Sequence, residues 1–173
     1  PTPPRWDYPF YYPNKQNRFW ETMSMAAGKE LKYFSDDEAV LERQGLMKLM
    51  NVGVENLGFE IDRIDKSASD DKIKIVSFHD LKGMMLGAPN LKRVLLTGYS
   101  SKTNSYNDFL RYLEIIGASF LRQPKKGAAF QRFKFSIEGR EFSALVGNST
   151  SPLTRVNTSQ ETLLEQFREV IFG

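Results

Sequence analysis

The 173-residue chain has no cysteine and only one histidine, His79. The first absence excludes disulfides, thiolate-held zinc and cysteine-ligated iron–sulfur clusters within the chain. The second excludes a zinc site built from several imidazoles and leaves any Ser-His-Asp catalysis to one residue. No metal-ligand spacing and no phosphate-binding glycine loop is found. No run approaches the roughly 20 apolar residues that a membrane-spanning helix needs, and no secretory apolar segment is visible. Catalysis by such a chain rests on carboxylates, amides, hydroxyls and backbone dipoles, with no metal and no cofactor expected.

Hydrophobic residues make up 40% and charged residues 26% of the chain, as in an ordinary folded protein. The length fits a single domain over 1–173 with a sizeable core. The net charge of +3 and pI near 9.1 suit a phosphate-bearing partner without demanding one. A monomer in the cytoplasm, with no membrane association, is the expectation. The opening Pro1-Thr2-Pro3-Pro4 is unlike a natural start, so further residues are expected upstream.

Residues 1–13 hold five prolines among Trp6, Tyr8, Phe10, Tyr11 and Tyr12, which forbids a regular helix and points to an ordered aromatic loop. Asn14 is placed to cap a helix running to about Ala27, with Gly28 as its stop. A second helix starts at Ser35 or Asp36, with acids in its first turn. Residues 58–64 alternate as a strand, a polar loop runs from Asp65 to Asp71, and Ile73, Ile75 and Val76 lead to Asp80, a cap for a short helix to about Leu86. Lys92–Thr97 reads as a buried parallel strand closed by Gly98, and Thr103–Ile116 as an amphipathic helix ended by Gly117. Phe133–Ile137 and Phe142–Val146 flank Glu138-Gly139 as a hairpin, and a last helix spans Ser159 to Phe172. Alternating helices and strands predict an α/β fold: a three-layer sandwich around a mostly parallel sheet, with a C-terminal hairpin. Such sheets bind ligands at the carboxyl ends of their strands, which directs attention to the loops at 62–71, 98–103 and 147–157.

Three places carry groups with chemical use. The segment from Phe10 to Trp20 sets aromatic rings, amides and cations within eleven residues. Rings stack on a base, amides read its edge or orient a water, and cations meet phosphate. The competing reading makes Tyr11, Phe19 and Trp20 core, Asn14 a cap, and the cations solvated. Gly147-Asn148-Ser149-Thr150-Ser151-Pro152 is small and hydroxyl-rich, letting a backbone approach phosphate closely, or else it is a plain polar turn. Asp62, ending an apolar strand, is either held where ligands sit or a solvated strand end. Asp70 and Asp71 read as turn or cap residues, and His79 as a packing group near a helix start.

Taken in order, these pieces resemble the uracil-DNA glycosylase superfamily, most closely its hypoxanthine- and mismatch-type bacterial branch. The first motif of that branch is matched by Tyr11-Tyr12-Pro13-Asn14-Lys15-Gln16-Asn17-Arg18-Phe19-Trp20. Its Gly-x-x-x-Asp strand is matched by Gly58 to Asp62, followed by Ala68-Ser69-Asp70. Pro89 to Gly98 is similar to the family's segment before and along a strand, and Ser149-Thr150-Ser151-Pro152 to its last motif. The likeness spans nearly the whole chain. The family's first strand would lie upstream of Pro1, and the histidine that its best-known members carry before Ser-Pro is absent here.

The resemblance implies a monofunctional glycosylase that flips a uracil or hypoxanthine nucleotide from DNA, hydrolyses its N-glycosidic bond and leaves an abasic site. It implies Asn17 as the residue orienting the attacking water, and Asp62 as a second catalytic residue. Tyr11, Tyr12 and Phe19 are then base-binding, and Arg18, Ser149, Thr150, Ser151, Pro152 and Arg155 contact the DNA backbone. Two other readings stay open: a non-catalytic DNA-binding module on the same fold, and an α/β domain binding a small nucleotide through the loop after Gly98.

Overall fold

The computed structural model describes residues 6–63, 73–99, 105–122 and 131–173. The described chain gathers into two compact units. The first comprises residues up to Glu55 together with Ser149–Gly173, and the second Asn56–Asn148.

The first unit is helical. Helix α1 (Phe19–Ala27) begins four residues later than the sequence suggests, with Arg18 instead of Asn14 at the cap position. Asn14 does act as a local acceptor, but for Gln16 N–H (2.8 Å), and its carbonyl takes the Asn17 N–H. That turn competes with helix, as short polar side chains commonly do. Gly28, at φ 63°, ends α1 as expected, its N–H returning to Met25 O. Helix α2 (Asp36–Met50) follows, with Asp36, Asp37 and Glu38 at the positive end of its dipole. Helix α5 (Gln160–Phe172) closes the chain, capped by Ser159, whose hydroxyl accepts from Thr162 N–H. Phe19 meets Phe167 edge-to-face at 5.3 Å, and Gln160 donates to Thr22 Oγ1, so α1 and α5 pack together.

Arg43 is the most deeply buried charge of this unit, 1% exposed. It donates to Tyr33 O, pairs with Glu42, and lies over the rings of Tyr8 (4.7 Å) and Phe34 (5.7 Å). Glu42 in turn accepts from the Lys32 and Tyr33 N–H groups, so α2 holds the loop before it.

The second unit is α/β. Its four-stranded sheet has the order β3-β6-β5-β4, built from β3 (Arg93–Tyr99), β4 (Ser119–Arg122), β5 (Arg132–Ile137) and β6 (Arg140–Asn148). Only β3 and β6 run parallel; β6–β5 and β5–β4 are antiparallel. The sheet is therefore mixed, where the sequence predicts a mostly parallel one. The reason is local: β4, β5 and β6 follow one another as a meander, and antiparallel neighbours need only short connections. The expected hairpin is present, with Glu138 (φ 50°) and Gly139 (φ 82°) both left-handed at its turn, as its tight twist requires.

Strands β1 (Gly58–Arg63) and β2 (Ile73–Phe78) form a separate two-stranded antiparallel sheet. Helix α3 (Leu81–Gly87) starts at Asp80, whose carboxylate accepts the Gly83 N–H (2.9 Å), as the sequence predicts. Its carboxyl end is held by Arg140, which donates to Met85, Leu86, Ala88 and Leu91 carbonyls. Helix α4 (Ser105–Ile115) lays Tyr106, Phe109, Tyr112 and Leu113 into the core. There they meet Phe133, Phe135 and Phe142, with Phe135 and Phe142 stacked at 5.5 Å. The loop at 65–71, its Asp70 and Asp71, and residues 100–104 lie outside the described residues. No described helix is long and apolar enough to cross a membrane.

Candidate functional site

The aromatic–amide segment and the hydroxyl–proline turn, remote in sequence, belong to the same unit and are directly bonded. The Arg18 N–H donates to Thr150 O at 2.9 Å. The Arg18 guanidinium donates to Thr158 O (2.7 Å) and Thr154 Oγ1 (3.2 Å). Arg155 reaches back to Gln16 O at 3.3 Å. Four bonds thus hold the front segment against the turn.

Arg18 differs from its expected role as a phosphate contact. It is 4% exposed, with its charge turned inward onto the turn. Burial, and secondly the charge of Arg155, lower its pKa. Its Nε is buried without a hydrogen bond. Arg18 is a brace between the front segment and the turn, whereas Arg155 is exposed.

The turn itself is rigidly built. Ser149 Oγ accepts from Ser151 N–H, and Ser151 Oγ from Leu153 N–H. The Thr154 hydroxyl donates to the carbonyls of Ser149 and Ser151. Pro152–Thr154 forms a single 3-10 turn. Ser149 and Ser151 keep their own O–H protons available to donate outward. Thr150, 2% exposed, faces inward, which does not fit its side chain to the expected DNA-backbone contact. Just beyond, Leu153 and Val156 stand 88% and 92% exposed on either side of Arg155. Neither stands out in the sequence, because an apolar residue in a polar turn carries no periodic signal.

Asn17 is half-buried, and its Oδ1 accepts the Phe19 N–H at 2.9 Å at the mouth of α1. Among the described residues its Nδ2 has no partner, so an amide donor remains available beside the turn. Tyr12 stacks flat on Phe19, with centroids 4.0 Å apart and planes 13° apart. Its backbone is left-handed, at φ 49°. The Tyr8 hydroxyl donates to Tyr12 O (2.8 Å), which fixes that conformation from below. Tyr11 donates its hydroxyl to Glu55 (3.0 Å), while its carbonyl accepts from the Trp20 indole (2.7 Å). Burial and Glu55 together raise the Tyr11 pKa. Phe19 is buried, with Tyr12 stacked on it and Trp20 and Phe167 packed against it at steep interplanar angles.

Asp62 belongs to the second unit, on the exposed strand β1, opposite Lys74 of β2. At the carboxyl ends of β3 and β6, Tyr99 and Asn148 are register partners, so the segments leaving those two strands start side by side. Among the described residues no group of His, Asp or Glu could hold a metal ion.

Comparisons with protein-family models, with curated proteins and with solved structures find no match to this chain.

Proposed function

We propose that the protein is a DNA glycosylase that hydrolyses the N-glycosidic bond of a deaminated base, uracil or hypoxanthine, and that its site lies in the first unit. The observation that carries this reading is the main-chain bond from Arg18 to Thr150, which sets the Asn17 amide beside the Ser149–Pro152 turn. In this reading the turn receives the flanking phosphates through the Ser149 and Ser151 hydroxyls, with Arg155 adding charge. Leu153 and Val156 supply apolar groups able to wedge between bases, as proteins that unstack a duplex commonly do.

The extruded base stacks against Tyr12, which is half-buried and itself stacked on Phe19. Asn17 donates through Nδ2 to a water and aims it at the sugar C1′. The C1′–N bond breaks with its electron pair leaving on the base, and the water oxygen bonds to C1′. The water's proton goes to the departing base. An amide is a poor base, so its part is positioning, which suits a reaction in which the sugar is already cationic when water arrives.

A second reading, a DNA-binding module without catalysis, is favoured by one observation: Asn17 Oδ1 is already committed to Phe19 N–H. One assay separates the two. Purified protein is incubated with duplexes holding a single uracil or hypoxanthine, then treated with hot alkali. Strand breakage at the lesion, lost in Asn17→Ala with an unchanged melting temperature, supports the glycosylase. Tight binding with no breakage overturns it.

A further inference from the structure

The first unit, which holds the candidate site, carries nine Lys and Arg against eleven Asp and Glu, whereas residues 56–148 carry fifteen against ten. The attraction for a polyanion therefore resides mainly in the second unit. Within it, one face of the four-stranded sheet meets the aromatic core through Phe133, Phe135 and Ile137 of β5. The alternate residues Arg132 and Lys134 point to the opposite face and are exposed.

Register extends this face across the sheet. Lys134 lies opposite Arg122 of β4 on one side and Ser143 of β6 on the other, and Ser143 lies opposite Arg93 of β3. The row Arg93–Ser143–Lys134–Arg122 thus crosses all four strands, with Arg132 two residues along from Lys134. Glu141, opposite Ser136, is the acid on the same face, at its hairpin end.

Arg122 reaches this row through an irregularity. Phe120 pairs with Phe135, but the next registered pair is Arg122 with Lys134, because the ladder shifts between Phe120 and Arg122. In regular pairing Leu121 would face Lys134, and Arg122 would point to the core side. The bulge re-aims Arg122 outward, and it does so against electrostatics. Like charges directly opposite on neighbouring strands, about 5 Å apart at Cβ, repel each other. Among the described residues neither cation has an acidic partner within ion-pair distance. A local structure that places two cations face to face at a cost in stability makes sense where an anion normally lies across them.

We propose that Arg122, Arg132 and Lys134 form a second nucleic-acid contact, a strip on the exposed β4–β5 part of this sheet face that receives the phosphodiester backbone of a DNA strand. Arg132 and Lys134 are spaced about 6.7 Å along β5, far enough apart for each to meet a phosphate of its own. The contact is to phosphate, so it carries no base sequence preference. It goes beyond the excision site and stands or falls separately from it.

The test is fluorescence anisotropy with a labelled, lesion-free 20-base-pair duplex, titrated at several NaCl concentrations from 50 to 200 mM. Removing one cation–phosphate pair lowers the slope of log affinity against log salt by about 0.9. Arg122→Thr/Arg132→Thr/Lys134→Thr is expected to flatten the slope by about 2 to 3 and to weaken binding tenfold or more at 50 mM. The single Arg122→Thr is expected to flatten it by about 1 while raising the melting temperature, since it removes the repulsion. That opposite pairing of effects is not produced by a merely structural arginine. A triple variant that stays folded and binds with the wild-type slope overturns the proposal. So does an Arg122→Thr variant that melts earlier, or a wild-type protein that binds anionic phosphatidylserine vesicles through these residues but not the duplex. Excision is not part of the readout, so failure of the glycosylase reading and failure of this one are distinguishable.

Discussion

Arg18→Ala is the sharpest perturbation of the joint between the front segment and the turn. The guanidinium donates two bonds, one to the buried Thr158 carbonyl at 2.7 Å and one to Thr154 Oγ1 at 3.2 Å. A hydrogen bond from a charged donor contributes about 1.5–3 kcal/mol net. The first is taken near 2 kcal/mol, and the longer, weaker one near 1 kcal/mol, below that range. Losing the buried aliphatic stem costs about 1 kcal/mol more. Against this, the substitution relieves the unpartnered Nε and the guanidinium's desolvation, a gain of about 1 kcal/mol. The net loss is about 3 kcal/mol, or about 6–12 °C in melting temperature for a chain of this size. Both tryptophans, Trp6 and Trp20, lie in the first unit, so urea unfolding followed by tryptophan fluorescence, excited where tyrosine does not absorb, reports on that unit. Arg155→Ala is the control: its side chain is exposed with one bond of 3.3 Å, and it should cost no more than about 0.5 kcal/mol. If Arg18→Ala loses under about 1 kcal/mol, or no more than Arg155→Ala, the joint is not what holds the turn in place.

The remaining expectations are simpler. Gly45→Ala, in the middle of α2 with nothing within 4 Å of the added methyl, should raise stability by about 0.5–1 kcal/mol. Gly83→Ala should show no such gain, because its Cβ would collide with the Asp80 carboxylate and dislodge the α3 cap; thermal melts of the pair decide the point. Gly139→Ala, forced to φ 82° in the hairpin turn, should lose about 1–2 kcal/mol. Burial is the leading cause raising the pKa of Tyr8, Tyr11 and Tyr112. Their protonated forms therefore favour the fold below about pH 10, and that contribution is lost as pH rises through their folded values. Melting temperature should thus fall steeply above about pH 10, and less steeply in Tyr8→Phe.

Much of the local structure can be read from residue order. Asp80, Ser159, Gly28 and the Glu138-Gly139 turn are short-range signals, and each has the predicted role. What cannot be read depends on long-range pairing. Strand β4 is four residues with no alternation to mark it, and the β4–β5–β6 meander makes the sheet mixed. Asp62 has the sequence setting of a core strand's end, yet β1 pairs only with β2 and is exposed. Asn14 carries the chemistry of a helix cap, but a two-residue turn at Gln16 uses it first. In the candidate site the main-chain bond from Arg18 to Thr150, which brings Asn17 next to the Ser149–Pro152 turn, is a long-range contact that residue order does not declare. A cation next to aromatics does not declare whether it faces water, and Arg18 faces Thr158 instead of solvent. The bare apolar tips of Leu153 and Val156 are visible only through their exposure.

Base excision leaves one unambiguous product, the freed nucleobase. Purified protein, in excess over a duplex with one hypoxanthine or one uracil, is sampled over time and the small-molecule fraction is weighed by mass spectrometry. Stoichiometric release of the lesion base is expected, with none from the matching undamaged duplex and none from Asn17→Ala. A folded wild-type protein that binds both lesion duplexes and liberates neither base contradicts the glycosylase reading.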